Sequence, residues 1–167
     1  MLYLFDVDGT LRRPILFPAI GSLAAWDQRV LPGRAHRLQA LKAQGHRIGA
    51  ATNQPVVAFG LVSEARMRKG LDELNRRLGG VLDWIGFCPD HPRGLIPRYR
   101  IQCRCRKPQP DLLLQALTVF AVPASQATYI GDRATDEQAA RAAGYEFIPA
   151  EHFFRAMLNP WTSTPSK

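Results

Sequence analysis

No apolar run in these 167 residues approaches the length of a membrane-spanning helix. The apolar stretch that follows Met1 runs at once into acids, so no secretory leader is expected. These absences predict a soluble, cytoplasmic protein without a membrane partner. Cysteine is scarce: there are three, an odd number. Without a leader, that argues against a disulfide framework and leaves metal binding or simple burial. Acids are outnumbered, 14 Asp and Glu against 22 Lys and Arg, for a net charge of +8. The excess is mostly arginine. It suits phosphate-bearing ligands or nucleic acid, or it reflects composition alone. Repeats, low-complexity stretches and linkers are also missing. The length fits one domain with a core that needs no staples. The expectation is a single domain over residues 1–158, a flexible tail over 159–167, and a monomer.

What is present alternates between strands and helices. Leu2-Tyr3-Leu4-Phe5 is too short for a helix and reads as a buried strand. Residues 12–32 contain three prolines and read as a loop or flap. A helix is expected over 33–44 with Leu38 and Leu41 inward, then a strand over 47–52. A second helix is expected over 63–78, capped by Ser63, with Met67, Leu71, Leu74 and Leu78 at helical spacing. A strand within 81–88 is followed by a long loop, 89–108, and a helix from 110 to about 120. The last elements are a strand over 127–131, a helix over 135–143 opening on a T-x-x-Q capping box, a strand over 145–148 and a short helix over 151–158. This order predicts an α/β fold: one doubly wound domain around a mostly parallel sheet.

The strand ends carry the chemistry. Asp6 and Asp8 end the first strand, Thr52 and Asn53 the second, and Asp132 and Asp136 follow the fourth, while Lys107 precedes a helix start. In open α/β sheets ligands bind at the carboxyl ends of the strands. A turn explains any one of these segments, but not all four together. The set suits phosphoryl transfer. Asp6 and Asp132 are natural ligands for Mg²⁺, a hard cation that takes carboxylates. One carboxylate can attack phosphorus, and a second, two residues away, can carry the proton. Thr52, Lys107 and main-chain N–H groups near Gly9 can hold phosphoryl oxygens.

"DVDGTL", "TNQ", "RKPQPDLL" and "IGDRATD", in that order, resemble the four motifs of the haloacid dehalogenase superfamily of phosphohydrolases. The resemblance implies a Rossmann-like fold with helices on both faces of the sheet. It also implies Mg²⁺-dependent hydrolysis of phosphate monoesters through an aspartyl phosphate. Carried over by position, Asp6 is the nucleophile and Asp8 the general acid/base. Asp6, Asp132 and the main-chain carbonyl of Asp8 bind Mg²⁺, and Asp136 is a supporting acid. Thr52, Asn53 and Lys107 fall at phosphate-binding positions. About 45 residues separate the first two motifs and about 55 the next two, which leaves no room for a cap domain. An open site needs either a large substrate or a loop to confer specificity.

The candidate loop is "CPDHPRGLIPRYRIQCRCRKP". It holds Cys88, Cys103 and Cys105, three quarters of a four-coordinate structural zinc site. It resembles the zinc loop of the heptose-1,7-bisphosphate and histidinol-phosphate phosphatases, which reads C-x-H, a gap, then C-x-C-R-K-P. This chain departs from that pattern. Asp90 occupies the histidine position and His91 follows it, so either is a candidate fourth ligand for Zn²⁺. The loop also gathers Arg93, Arg98, Arg100, Arg104 and Arg106. Guanidinium pairs with phosphate oxygens through a planar fork, so Arg104 and Arg106 are expected to clamp a second phosphate. A small phosphorylated metabolite, a sugar bisphosphate or histidinol phosphate, is the favoured substrate. The alternative is a nucleic-acid 3′-phosphate: "FDVDGTL" and the stretch from Trp26 also resemble the polynucleotide 3′-phosphatases. A non-catalytic phosphate-binding module is the remote third reading.

Overall fold

The computed structural model of the chain describes residues 1–13 and 29–155. Along the chain these form β1 (Leu2–Phe5), α1 (Arg34–Ala43), β2 (Arg47–Asn53), α2 (Glu64–Arg77), β3 (Trp84–Cys88), α3 (Asp111–Phe120), β4 (Ala127–Gly131), α4 (Ala134–Ala142), β5 (Glu146–Pro149) and α5 (Ala150–Arg155). The sheet order is β3-β2-β1-β4-β5, and every neighbouring pair is parallel. The chain moves outward from β1 through β2 to β3, then returns to build β4 and β5 on the other side of β1. Strand order therefore reverses between β1 and β4, and a crevice opens at their carboxyl ends.

Alternation along the strands fills two cores. Phe5, Ile48, Ala50 and Ile130 face α1, α2 and α5, meeting Leu38, Leu41, Met67, Leu71, Leu74, Phe153 and Phe154. Leu2, Leu4, Ala51 and Tyr129 face α3 and α4, meeting Leu112, Leu113, Ala116, Phe120 and Ala140. Leu2, Leu4, Phe5 and Leu113 are fully buried. Each such side chain contributes about 1.5–3 kcal/mol relative to its exposed state, which anchors β1 and hence the acids at its end.

Most element boundaries fall within a residue or two of expectation. Ser63 caps α2 as expected, its Oγ accepting the N–H of Arg66 at 3.2 Å. The cap of α4 differs. Thr135 lies inside the helix, and Asp136 takes the role assigned to the T-x-x-Q box. Its Oδ2 accepts the N–H groups of Asp132 and Arg133 at 3.2 and 3.1 Å. A carboxylate at a helix N-terminus also meets the positive end of the dipole, so this arrangement prevails over a hydroxyl–amide pair. The last helix is described only as far as Arg155. The flap residues 14–28 with Trp26, the end of that helix, and the expected tail lie outside the described residues. Beside Asp8 the described flanks of the flap pair with each other: Leu31 N–H donates to the Leu11 carbonyl at 2.9 Å and Arg13 N–H to that of Arg29 at 3.2 Å. Among the described residues no helix is long and apolar enough to cross a membrane.

Candidate active site

Asp6 is the first residue past β1, and its N–H still donates to the Ile130 carbonyl at 2.8 Å. The β1–β4 ladder therefore fixes its backbone. Its carboxylate is almost fully buried. The Nζ of Lys107, 101 residues away in sequence, lies 2.6 Å from Asp6 Oδ1 and 2.6 Å from Asp136 Oδ1. Burial pushes the Asp6 carboxyl up to about 7 against the opposing pull of Lys107. Burial alone would lower the Lys107 pKa, but Asp6 and Asp136 outweigh it and hold the ammonium above its ordinary value.

Asp132 stands at the rim of the crevice. Desolvation and the charge of Asp136 raise its pKa. Gly9 lets it close against the β1 turn. At φ +94° this residue is in the region that favours glycine, and a Cβ there would come within 2.1 Å of Asp132 Oδ2. One oxygen from each of Asp6, Asp132 and Asp136 lies within 4.8 Å of the others. Lys107 pairs with Asp6 and Asp136, while Asp132 feels the charges of Arg133 and Lys107. An oxygen-only set of three carboxylates fits a hard divalent cation such as Mg²⁺.

Asp8 is held from its own turn. Arg12 Nε donates to Oδ1 at 2.7 Å and Arg12 Nη2 to Oδ2 at 3.2 Å, the fork geometry of a strong pair. Gln54 Nε2 donates to Asp8 Oδ2 at 2.7 Å and to Thr52 Oγ1 at 3.1 Å. The hydroxyl of Thr52 is thus an acceptor toward Gln54 and keeps its hydrogen for another oxygen. The side-chain amide of Asn53 clasps the main chain of Lys107, donating to the carbonyl at 3.0 Å and accepting the N–H at 3.1 Å. A side chain at the end of β2 is well placed to hold the incoming loop, because that loop runs beside it before entering α3.

The three thiols of the long loop meet. Cys88 and Cys103 sulfurs are 3.2 Å apart, and Cys105 lies 2.7 Å from each. No disulfide joins them. Asp90 is the fourth member, its Oδ2 3.7 Å from Cys105 Sγ. His91 is not in this group. Its Nδ1 accepts the N–H of Arg93, and its ring lies against Phe59 at 5.0 Å. The backbone turn after Cys88 points Asp90 inward and His91 outward. Burial pushes the Cys103 thiol up to about 11, and hydrogen bonding with Cys88 raises Cys105 further still. Three sulfurs and one carboxylate form a donor set of the type that holds tetrahedral Zn²⁺.

The arginines of this loop are largely engaged. Arg106 Nη1 donates to the Asp90 carbonyl at 3.2 Å. Arg104 pairs with Asp111 in the first turn of α3 at 3.3 Å, so the structure does not set Arg104 and Arg106 as one free clamp. Arg100 holds the carbonyls of Gly94 and Leu95, and Arg98 meets Glu64 and Tyr99.

Sequence reasoning missed Arg12, Gln54 and Tyr129. Arg12 is indistinguishable in sequence from its neighbour Arg13, yet only Arg12 is buried. Gln54 falls inside the quoted "TNQ", which is the one signal it gives. Tyr129 sits in an otherwise apolar strand, and a buried tyrosine needs a partner for its hydroxyl.

Comparison with known proteins agrees with this geometry. The sequence profile of the haloacid dehalogenase-like hydrolases matches residues 12–144. The chain is 40% identical over 129 residues to the D-glycero-beta-D-manno-heptose-1,7-bisphosphate 7-phosphatase of Rhodopseudomonas palustris, covering 75% of this chain and 69% of that protein. It is 33% identical over 116 residues to the enzyme of the same name from Escherichia coli K12, covering 68% and 61%. The chain thus spans 61–69% of the length of these relatives. Among solved structures, the D,D-heptose 1,7-bisphosphate phosphatase of B. bronchiseptica, complexed with magnesium and phosphate, superposes with a TM-score of 0.74. The two are 25% identical, and the alignment covers 99% of this chain and 88% of that one.

Proposed function

Because the chain belongs to the haloacid dehalogenase-like hydrolases, we propose that it is a Mg²⁺-dependent phosphatase acting on a sugar bisphosphate of the heptose-1,7-bisphosphate type. The observation that carries this reading is the buried Asp6 carboxylate, held by Lys107 beside Asp132 at the point where strand order reverses. Relatives named for a heptose bisphosphate support the substrate class.

Asp6 attacks phosphorus and forms an aspartyl phosphate, while the ester oxygen leaves as an alcohol after taking a proton from Asp8. Water then attacks the phosphoryl group. Asp8 accepts its proton, and Asp6 is released with inorganic phosphate. Arg12 and Gln54 keep the Asp8 carboxylate aimed through both steps. Lys107 and Thr52 stabilise the oxygens that gain charge in the transition state. Asp136 orients Lys107 and the turn after β4. Mg²⁺, held by Asp6, Asp132 and the Asp8 carbonyl, would supply positive charge to the phosphoryl group.

In this reading Cys88, Asp90, Cys103 and Cys105 hold a structural Zn²⁺. The motif spacing is read as leaving no room for a cap domain, so that the zinc loop would border the substrate. In the same reading Arg106, tied to the Asp90 carbonyl, meets the second phosphate of the substrate.

Phosphate release tests the assignment. The wild type should favour a heptose 1,7-bisphosphate over histidinol phosphate and over an oligonucleotide ending in a 3′-phosphate, and Asp6→Asn should release none. A kcat/KM on the oligonucleotide more than about tenfold above that on every sugar phosphate, roughly 1.4 kcal/mol of barrier, would overturn the substrate class.

A further inference from the structure

Lys107 carries three N–H groups, and four oxygens lie within reach of its Nζ. Asp6 Oδ1, Asp136 Oδ1 and the Tyr129 hydroxyl are each at 2.6 Å, and the Ala51 carbonyl is at 3.0 Å. Tyr129 decides how three donors divide among four acceptors. Its own O–H donates to the Ala51 carbonyl at 2.8 Å. It therefore presents a lone pair to Lys107 and shares the Ala51 carbonyl, which has two lone pairs, with the ammonium. Lys107 divides its three N–H groups among the two carboxylates, the Tyr129 oxygen and the Ala51 carbonyl. All of this is closed to solvent: Tyr129 is 0% exposed and Lys107 4%.

We propose that Tyr129 is a positioning residue for phosphoryl transfer, a neutral acceptor that fixes the Lys107 ammonium against Asp6. The inference rests on the phosphatase reading above. The chemistry changes the surroundings of Lys107 at every turnover, since Asp6 gains and loses a phosphoryl group. Tyr129 does not react and keeps its contact throughout. It is also neutral. A third carboxylate in its place would cancel the charge that Lys107 brings to the phosphoryl oxygens. An apolar ring would remove one acceptor from the ammonium and the second donor from the Ala51 carbonyl, leaving Lys107 free to shift toward Ala51. Small displacements of a catalytic group are costly in rate.

A purely structural tyrosine would fit some of the same facts. Its ring packs edge-on to Tyr145 at 6.3 Å within the core under α3 and α4. The test must therefore read Lys107, not the fold. Tyr129→Phe removes one oxygen and keeps the ring. It is made in the wild type and in a Lys107→Met background. The readouts are binding of inorganic phosphate with Mg²⁺ by calorimetry, kcat and KM on an aryl phosphate, and thermal unfolding.

In the wild-type background, phosphate binding should weaken about tenfold and kcat should fall about ten- to a hundredfold. KM should rise by no more than phosphate binding weakens, because the leaving group does not meet Tyr129. In the Lys107→Met background the same change should leave phosphate binding unaltered, since there is no ammonium to misplace. Equal weakening in both backgrounds would overturn the proposal, as would wild-type phosphate binding that stays within about twofold. A wild type that binds phosphate but hydrolyses no ester would defeat the phosphatase reading alone. The two binding measurements would still decide whether Tyr129 places Lys107.

Discussion

Asn53 and Lys107 clasp each other through two hydrogen bonds, side-chain amide to main chain, although 54 residues separate them. The pair stitches the end of β2 to the loop that delivers the lysine. A lysine side chain is long, so fixing its backbone is what makes the reach of its ammonium to Asp6 reproducible. Asn53→Ala should cost about 1–3 kcal/mol in stability, because it leaves an amide and a carbonyl of Lys107 without partners. It should also lower kcat more than it raises KM. Urea unfolding and steady-state kinetics on one substrate check both halves. A variant with normal kcat would refute the clasp's role in catalysis.

Asp6→Asn should abolish turnover while the protein keeps its fold, since the amide fills the same space but cannot attack phosphorus. Circular dichroism and phosphate release are the measurements. Residual activity within about tenfold of the wild type, equivalent to roughly 1.4 kcal/mol, rules out Asp6 as the nucleophile.

Asp8→Asn should act unevenly. An alkyl phosphate needs its leaving oxygen protonated, whereas an aryl phosphate departs readily without help. The loss should be about a hundredfold or more for the alkyl ester and clearly smaller for the aryl ester. Arg12→Met should reproduce the pattern in weaker form, because it frees the Asp8 carboxylate from its fork. Equal losses on both esters would remove Asp8 from the role of general acid.

Stabilisation by Mg²⁺ should grow with pH. Asp6 in the folded chain titrates near 7, well above its ordinary 3.8. Without Mg²⁺, folded Asp6 keeps a proton that the unfolded chain has already released, so its contribution to stability falls as pH rises from about 4 to about 7. A divalent cation competes with that proton and binds best once it is gone. The increase in Tm on adding Mg²⁺ should therefore be larger near pH 8 than near pH 5. An increase that is flat across this range would mean that Asp6 is not a ligand.

The thiol cluster should carry about one zinc per chain, because Cys88, Asp90, Cys103 and Cys105 make a single four-donor set. Asp90→Ala should lose metal to a chelator much faster than the wild type, while His91→Ala should not, since His91 lies against Phe59 instead. Metal analysis before and after chelation distinguishes them. Removing zinc should loosen the loop and weaken substrate binding more than it destabilises the sheet, whose two cores close without it.

The sequence by itself determined the positions of the acids. Apolar runs of strand length, each ended by Asp, Thr, Asn or Gly, are local signals, and local signals survive in a string of letters. Asp6, Asp8, Thr52 and Asp132 could therefore be placed at strand ends, and the parallel sheet followed from the alternation of elements. The contacts among those residues were decided only by the tertiary structure. Asn53 clasps the main chain of Lys107, and Asp90 joins the thiols where His91 was an equal candidate. Arg12 is buried against Asp8 while Arg13 is exposed, and Tyr129 reaches across the sheet to Lys107. Each outcome depends on which of several chemically similar side chains comes within about 3 Å of a partner. Most of these partners are remote in sequence. That distance is set by strand register and by the turn each loop takes, which composition and spacing do not encode.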